Sequence, residues 1–185
     1  MNGSAGSVAR ARPESREVRY ATDAIVVVDA GDVAALKEAA AANERRRIRL
    51  CAHHGIDDRL HEMVIVHTNA TYVRPHKHLG KSESFHVIEG RVDVVVFDDE
   101  GGVTRVIRMG TFGSGQPFYY RIAEPLFHTL LIRSDVLVFH ETTSGPFRRA
   151  DTVFAPWAPD DGDPGAVSRY LADLNARLGV NHLHD

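Results

Sequence analysis

From Ile48 to Glu141 the chain runs in short blocks of alternating or continuous apolar residues, each closed by turn-forming residues. The pattern predicts strands near 48–52, 62–68, 71–78, 83–88, 91–97, 103–108, 117–122, 127–132 and 135–141. Between them stand HHGIDD, TNA, LGKS, EG, DDEGG, MGTFGSGQ, AEP and RSD, whose Gly, Asn, Asp, Ser and Pro residues suit tight turns. Strands this short, with no helical period between them, indicate an antiparallel sandwich or barrel. Upstream, AIVVV (24–28) reads as a strand. DVAALKEAAAANERRR (32–47) reads as a helix capped by Asp32, with its arginines at the end where the helix dipole favours cations. Downstream, FAPWAPDDGDPG (154–165) is a proline-rich strap. AVSRYLADLNARL (166–178) sets Val167, Tyr170, Leu171, Leu174 and Leu178 at helical spacing. The expected organisation is a flexible tail over 1–20, a β core with its leading strand and helix over 21–160, and a C-terminal helix and tail over 161–185.

Chemistry enters at RPHKHLGKSE (74–83). On a strand, residues two apart share a face, so His76 and His78 project together while Lys77 points away. Pro75 keeps Arg74 extended. Glu83 lies at an odd offset from His78, but Gly80 permits a tight turn, after which Glu83 opens the returning strand and faces the histidines. A set of imidazoles and a carboxylate suits one divalent transition metal (Zn, Fe, Mn, Ni, Co or Cu) better than Ca or Mg, which prefer all-oxygen shells. Arg74 shares the face of His76, with Tyr72 one step further, so both are candidates to hold an anionic ligand beside the metal. Phe85, on the face of Glu83, is a candidate wall of the cavity. One of Tyr119 and Tyr120 points inward; the sequence does not say which.

The spacing His-x-His-x4-Glu-x6-Gly, from His76 through Glu83 to Gly90, resembles the first motif of the cupin superfamily, with Ala70 where that family has a glycine. The resemblance implies a cupin-type double-stranded β-helix, a jelly-roll barrel, in which two histidines and the glutamate bind metal. It implies a fourth histidine ligand on a later strand, which FHTLLI (127–132) supplies as His128, among Leu130 and Ile132. The second motif departs from the family at Ala123, Pro125 and Ile132. His140, in VLVFHE, is the rival for the fourth position or a residue of the pocket wall. More closely, the ordered blocks RRRIRLCAHHGIDDRLHEMVIVH, TYVRPHKH, FHTLLI, HETTSGPF and FAPWAP resemble the WbuC-type cupin-fold metalloproteins over about residues 24–160. Genes of that subgroup often lie near polysaccharide-synthesis genes, and its reaction is not established.

Composition narrows the partners. The formal net charge of −3 over 185 residues offers no basic excess for nucleic acid. No apolar run reaches the roughly 20 residues that span a bilayer. Cys51 is the single cysteine, which excludes an intramolecular disulfide and fits a reducing, cytoplasmic setting. The N-terminus has no apolar segment of the secretory kind. Of the eleven histidines, His182 and His184 fall in the tail, and His53, His54, His61, His67 and His86 have no ligand spacing. ERRRIRL (44–50) reads as a solvated helix end or an anion site. The expected function is that of a metal-binding cupin, a metalloenzyme on a small carboxylate or sugar-phosphate metabolite, or a non-catalytic binder or sensor of one. A metal-free, epimerase-like use of histidine and tyrosine leaves the ligand set without a purpose. A homodimer is the expected assembly.

Overall fold

The computed structural model describes residues 10–179, so the tail histidines 182 and 184 lie outside the described residues. The strands are β1 (Ala11–Pro13), β2 (Val18–Ala21), β3 (Arg47–Cys51), β4 (Leu60–Thr68), β5 (His76–His78), β6 (Glu83–Glu89), β7 (Val92–Phe97), β8 (Val103–Met109), β9 (Tyr119–Ile122), β10 (Phe127–Ile132), β11 (Val136–Ser144) and β12 (Thr152–Phe154). The helices are α1 (Ala30–Ala42) and α2 (Pro164–Arg177). A seven-stranded sheet runs β1-β2-β3-β4-β11-β6-β9, and a five-stranded sheet runs β12-β5-β10-β7-β8. All ladders are antiparallel except β2 against β3.

The expected jelly-roll barrel is not formed. Each sheet keeps two open edges, β1 and β9 in one and β12 and β8 in the other, and no ladder joins them. The reason lies in strand length. Three of these edges carry only three or four residues, too few ladder bonds to zip one sheet onto the other. The fourth edge, β8, is longer but presents exposed Arg105 and Arg108, a charged edge that discourages further pairing.

Alternation along each strand makes the layers. On β3, Ile48 and Leu50 turn outward and join Leu36 and Ala40 of α1, with Val66 of β4 and Val138 of β11. On β10, Phe127 and Leu131 turn outward to meet Leu174 of α2 and Ala155 and Ala158 of the strap. The opposite faces of both sheets meet in a third cluster that includes Met63, Phe85, Val94, Leu130 and Phe139. Helix α1 thus covers the larger sheet, α2 covers the smaller, and the inner faces are left to build a site.

Several elements differ from their expected places. AIVVV forms no strand; Ile25 and Val27 are exposed. β2 already occupies the edge of β3, so this run has no ladder to join. Helix α1 starts earlier, capped by Asp29, whose carboxylate accepts from the backbone N–H of Gly31 and Asp32. Asp32 is the third helical residue and accepts from the Asp29 N–H, completing a capping box. The helix ends at Ala42, and Arg47 belongs to β3, so the arginines do not form its last turn. The predicted strand 71–78 is reduced to His76–His78, because Pro75 has no N–H to donate to a ladder.

Gly80, at φ 65°, turns the chain between His78 and Glu83. A Cβ there would meet nothing within 4 Å, so only backbone strain opposes substitution. Gly80→Ala is therefore expected to cost about 1 kcal/mol in urea unfolding, and Gly80→Asn less, since Asn tolerates this conformation better. Equal stability of the parent and Gly80→Ala would show that the turn relaxes to another geometry.

Candidate metal centre

Four side chains converge between the sheets. The antiparallel pairing of β5 and β10 sets His76 directly opposite His128. His78 follows His76 on the same face of β5, and Glu83 enters from the other sheet, at the start of β6. One candidate ligand atom from each of the four lies within 4.8 Å of the others. Nε2 of His78 is 3.3 Å from Glu83 Oε2, and Nε2 of His128 is 3.6 Å from Glu83 Oε1. Two ligands about 2.1 Å from one ion in tetrahedral geometry stand about 3.4 Å apart, so these separations fit a divalent transition metal.

The other ring nitrogens strengthen the fit. His76 Nδ1 lies 2.8 Å from the Arg74 carbonyl, and His128 Nδ1 lies 3.0 Å from the Leu126 carbonyl. A carbonyl only accepts, so each Nδ1 donates and each neutral ring keeps its lone pair on Nε2. His78 Nδ1 is held by the Thr152 hydroxyl at 3.2 Å. The tethers come from residues two positions upstream of the histidines in two cases and from β12 in the third. Such outer contacts fix ring orientation in metal sites.

Charge is distributed unevenly. Burial is the largest influence on Glu83 and opposes its charge, yet His128, His78 and His76 together hold its pKa well below the ordinary carboxylate value. The Tyr120 hydroxyl donates to Glu83 Oε1 at 3.0 Å, which settles that Tyr120 faces inward; Tyr119 is exposed. Burial, then neighbouring His128 and His78, lowers His76 to about 3, so its ring is neutral. Burial also opposes charge on His128, but Glu83 outweighs it and the pKa ends raised. Glu141 on β11 faces the same cavity. Burial, then the Glu83 carboxylate, raises it to about 8, so it carries a proton at neutral pH.

The cavity has a volume of about 570 Å³. Arg74 lines it and pairs with Asp160 at 2.7 Å, while Phe85 forms part of its wall. Tyr72 is not part of the lining; its hydroxyl donates to the Pro159 carbonyl at 3.0 Å and its ring packs against Tyr170. His140 turns to the outer face of its sheet, in a groove beside α1 with Val33, Lys37 and Glu89. It does not approach the cluster. Glu141, one residue on, is the one that does, and the alternation of β11 after Phe139 was the available signal. His67 had no spacing to mark it, while the arginines of β3 belong to ERRRIRL, which reads as a helix end or an anion site; all of them line the cavity.

A family model described as "Domain of unknown function (DUF6016)" matches residues 28–109, a segment that contains His76, His78 and Glu83 but not His128. No curated protein matches the chain. Among solved structures, the L-ribose isomerase of Cellulomonas parahominis matches at 16% identity and a TM-score of 0.48, over 63% of this chain and 72% of that one. The capsular polysaccharide assembling protein CapF of Staphylococcus aureus matches at 18% and 0.47, over 61% of this chain and 31% of its own. The oxalate decarboxylase of Lactobacillus farciminis matches at 15% and 0.42, over 68% of this chain and 32% of its own. The chain thus spans about a third of the length of the latter two. Nothing about substrate or reaction follows from similarity at this level. Among the described residues, no helix is long and apolar enough to cross a membrane.

Two outcomes follow for metal binding. His76→Ala is expected to abolish it, and Thr152→Val, which removes the His78 tether, to weaken it by roughly tenfold to a hundredfold. Unchanged affinity in Thr152→Val would show that the tether does not orient the ring. Affinity should also rise with pH. A ligating imidazole must be neutral, and the raised pKa of His128 means that the metal competes with a proton there. The metal-free protein has the opposite sign. Stability from charged His128 against Glu83 is complete below the ordinary histidine value and is lost as pH rises through the raised one. Metal titrations from about pH 6 to about pH 9 check the affinity, and urea unfolding of chelator-treated protein over the same range checks the stability; a flat profile in either would contradict it.

Proposed function

We propose that this chain is a cupin-type, WbuC-like metalloprotein that holds one divalent transition metal through His76, His78, Glu83 and His128. We further propose that it acts on a small anionic metabolite bearing a carboxylate or phosphate. The observation that supports this reading is the set of Nδ1 tethers on three histidines, which leaves Nε2 as the nitrogen that faces a charged Glu83 in His78 and His128. Such a cluster, with Glu83 and His128 buried and His76 and His78 half-buried, has little use as a core, because each imidazole gives up water with little apolar contact in return. Zn, Fe, Mn, Ni, Co and Cu all suit this nitrogen and oxygen donor set, and elemental analysis distinguishes them.

A bound metal of this class supplies a Lewis acid that polarises an oxygen of the substrate. The residues of the chain then have separable tasks. Tyr120 fixes the Glu83 carboxylate by its hydrogen bond to Oε1. Arg74, partly neutralised by Asp160, offers its remaining guanidinium N–H groups to a negative substrate. Glu141 holds a proton on its carboxyl oxygen and faces the cavity, where it can give that proton up and take it back. Phe85, Phe139 and Leu130 exclude water and lower the local dielectric. The WbuC-like reading links the metabolite to polysaccharide synthesis, and a homodimer is the assembly proposed with it.

The test is elemental analysis of protein purified without a polyhistidine tag, followed by a panel of carboxylates and phosphosugars screened for thermal stabilisation and turnover. About one metal per chain is expected, with stabilisation of about 2.7 kcal/mol at a hundredfold excess of metal over Kd. Protein that binds no first-row divalent ion would refute the reading. A metabolite that stabilises the protein and is never converted would establish a binder instead. Glu141→Gln should keep the metal and the stabilisation while losing turnover.

A further inference from the structure

The cavity has a second, cationic end. Along the inner face of the larger sheet, register runs from Arg49 on β3 to Ile65 on β4 to Phe139 on β11, and Arg47 stands beside His67. β6, which carries Glu83, is the next strand beyond β11. Three strand spacings therefore separate the arginine strand from the glutamate strand, about 14 Å. Between the two ends the wall is apolar: Ile65, Val73, Phe85, Leu130 and Phe139.

The lining contains five arginines against three carboxylates outside the metal cluster and Glu141, namely Glu17, Asp160 and Asp161. The carboxylates do not exhaust the arginine donors. Glu17 engages Arg47 through Nε, at 2.8 Å, which leaves the terminal Nη groups for another acceptor. Among the described residues the Arg49 guanidinium has no ion pair or hydrogen bond. Arg74 pairs with Asp160 through Nη1, while its Nε is buried and has no acceptor. Nδ1 of His67, in the same lining, is also buried and without a partner. Buried polar nitrogens without partners are costly, and a ligand oxygen in this place would accept from Arg74 Nε and, in its Nδ1–H tautomer, from His67.

Resting on the metal-site reading, we propose that the cavity takes a two-ended ligand. Its oxygen-bearing head meets the metal, and an oxyanion tail, carboxylate or phosphate, is held by Arg47, Arg49 and Arg74. The body between them is short and poor in hydroxyl groups, because the apolar wall offers a polyol no partners. This narrows the substrate class from small anions in general to those with an apolar body and an oxygen donor at the end opposite the oxyanion, and it disfavours an unmodified sugar phosphate.

The tail site is tested without metal. Chelator-treated protein is titrated with inorganic phosphate and, separately, with acetate, followed by calorimetry. The tail site predicts saturable phosphate or acetate binding, and the stronger of the two identifies the tail. The Arg47→Gln/Arg49→Gln double variant should bind about tenfold to a hundredfold more weakly with its metal content intact, and Arg105→Gln, on an exposed strand edge, should bind as the parent does. If the double variant fails to fold, Arg49→Gln alone serves, since Arg49 is exposed and unpaired. A carboxylate joined to a phosphonate by a short methylene chain is then compared with phosphate in metal-loaded protein. It should bind at least about tenfold more tightly, and chelation should erase the gain. Unchanged affinity in the arginine variants, or no binding of either anion, would overturn the proposal. So would a linked probe that gains nothing from metal. Failure of metal binding would refute the metal-site reading and with it the head contact, while the anion titration, made on metal-free protein, would still decide the tail site.

Discussion

Glu83 is a carboxylate kept charged where water hardly reaches, at 6% exposure. A buried charge without partners costs several kcal/mol, so its neighbours must repay that cost or the group would take a proton. Here the repayment crosses the space between the sheets. The carboxylate belongs to β6 of the larger sheet, and the three imidazoles belong to β5 and β10 of the smaller. No backbone ladder joins these sheets, so apolar packing and this polar cluster hold their inner faces together. A metal would tighten that link, adding coordinate bonds to side chains of both layers.

The rest of the architecture secures the geometry of this link. Pairing of β5 with β10 sets His76 opposite His128, and pairing of β5 with β12 sets Thr152 opposite His78. The helices take the outer faces, which frees the inner faces for polar groups at one end and apolar groups beyond. Two carboxyl groups share this space and are driven apart in their protonation. Glu83 is surrounded by imidazoles and stays ionised, while Glu141 feels burial and the Glu83 charge and stays protonated. Adjacent acid groups with opposed states are a common arrangement for proton transfer.

Much of this was legible in the sequence because it depends on local spacing. His76 and His78 share a face by strand alternation, Gly80 marks the turn, and Glu83 follows it. Nine expected strands lie close to observed ones, with the interval 71–78 cut down by Pro75. Longer-range features were not legible. Whether a sheet closes depends on which strands become edges, and strand length at the seams decided that. AIVVV has the composition of a strand, but β2 had taken the available edge. Asp29 rather than Asp32 caps α1 because both carboxylates cooperate in one capping box. ERRRIRL reads as a helix end or an anion site, with a strand expected from Ile48; β3 starts one residue earlier, and alternation along it turns Arg47 and Arg49 into the cavity. His140 and Glu141 are adjacent, so a single step of alternation decided which of them faces the site.

X-ray absorption at the edge of the bound metal tests the central arrangement most directly. Three imidazole nitrogens and a carboxylate oxygen at about 2.0–2.2 Å are predicted, with the imidazole scattering reduced by one ring in His128→Ala. A sulfur neighbour near 2.3 Å, the signature of Cys51, or a first shell unchanged in His128→Ala would contradict it.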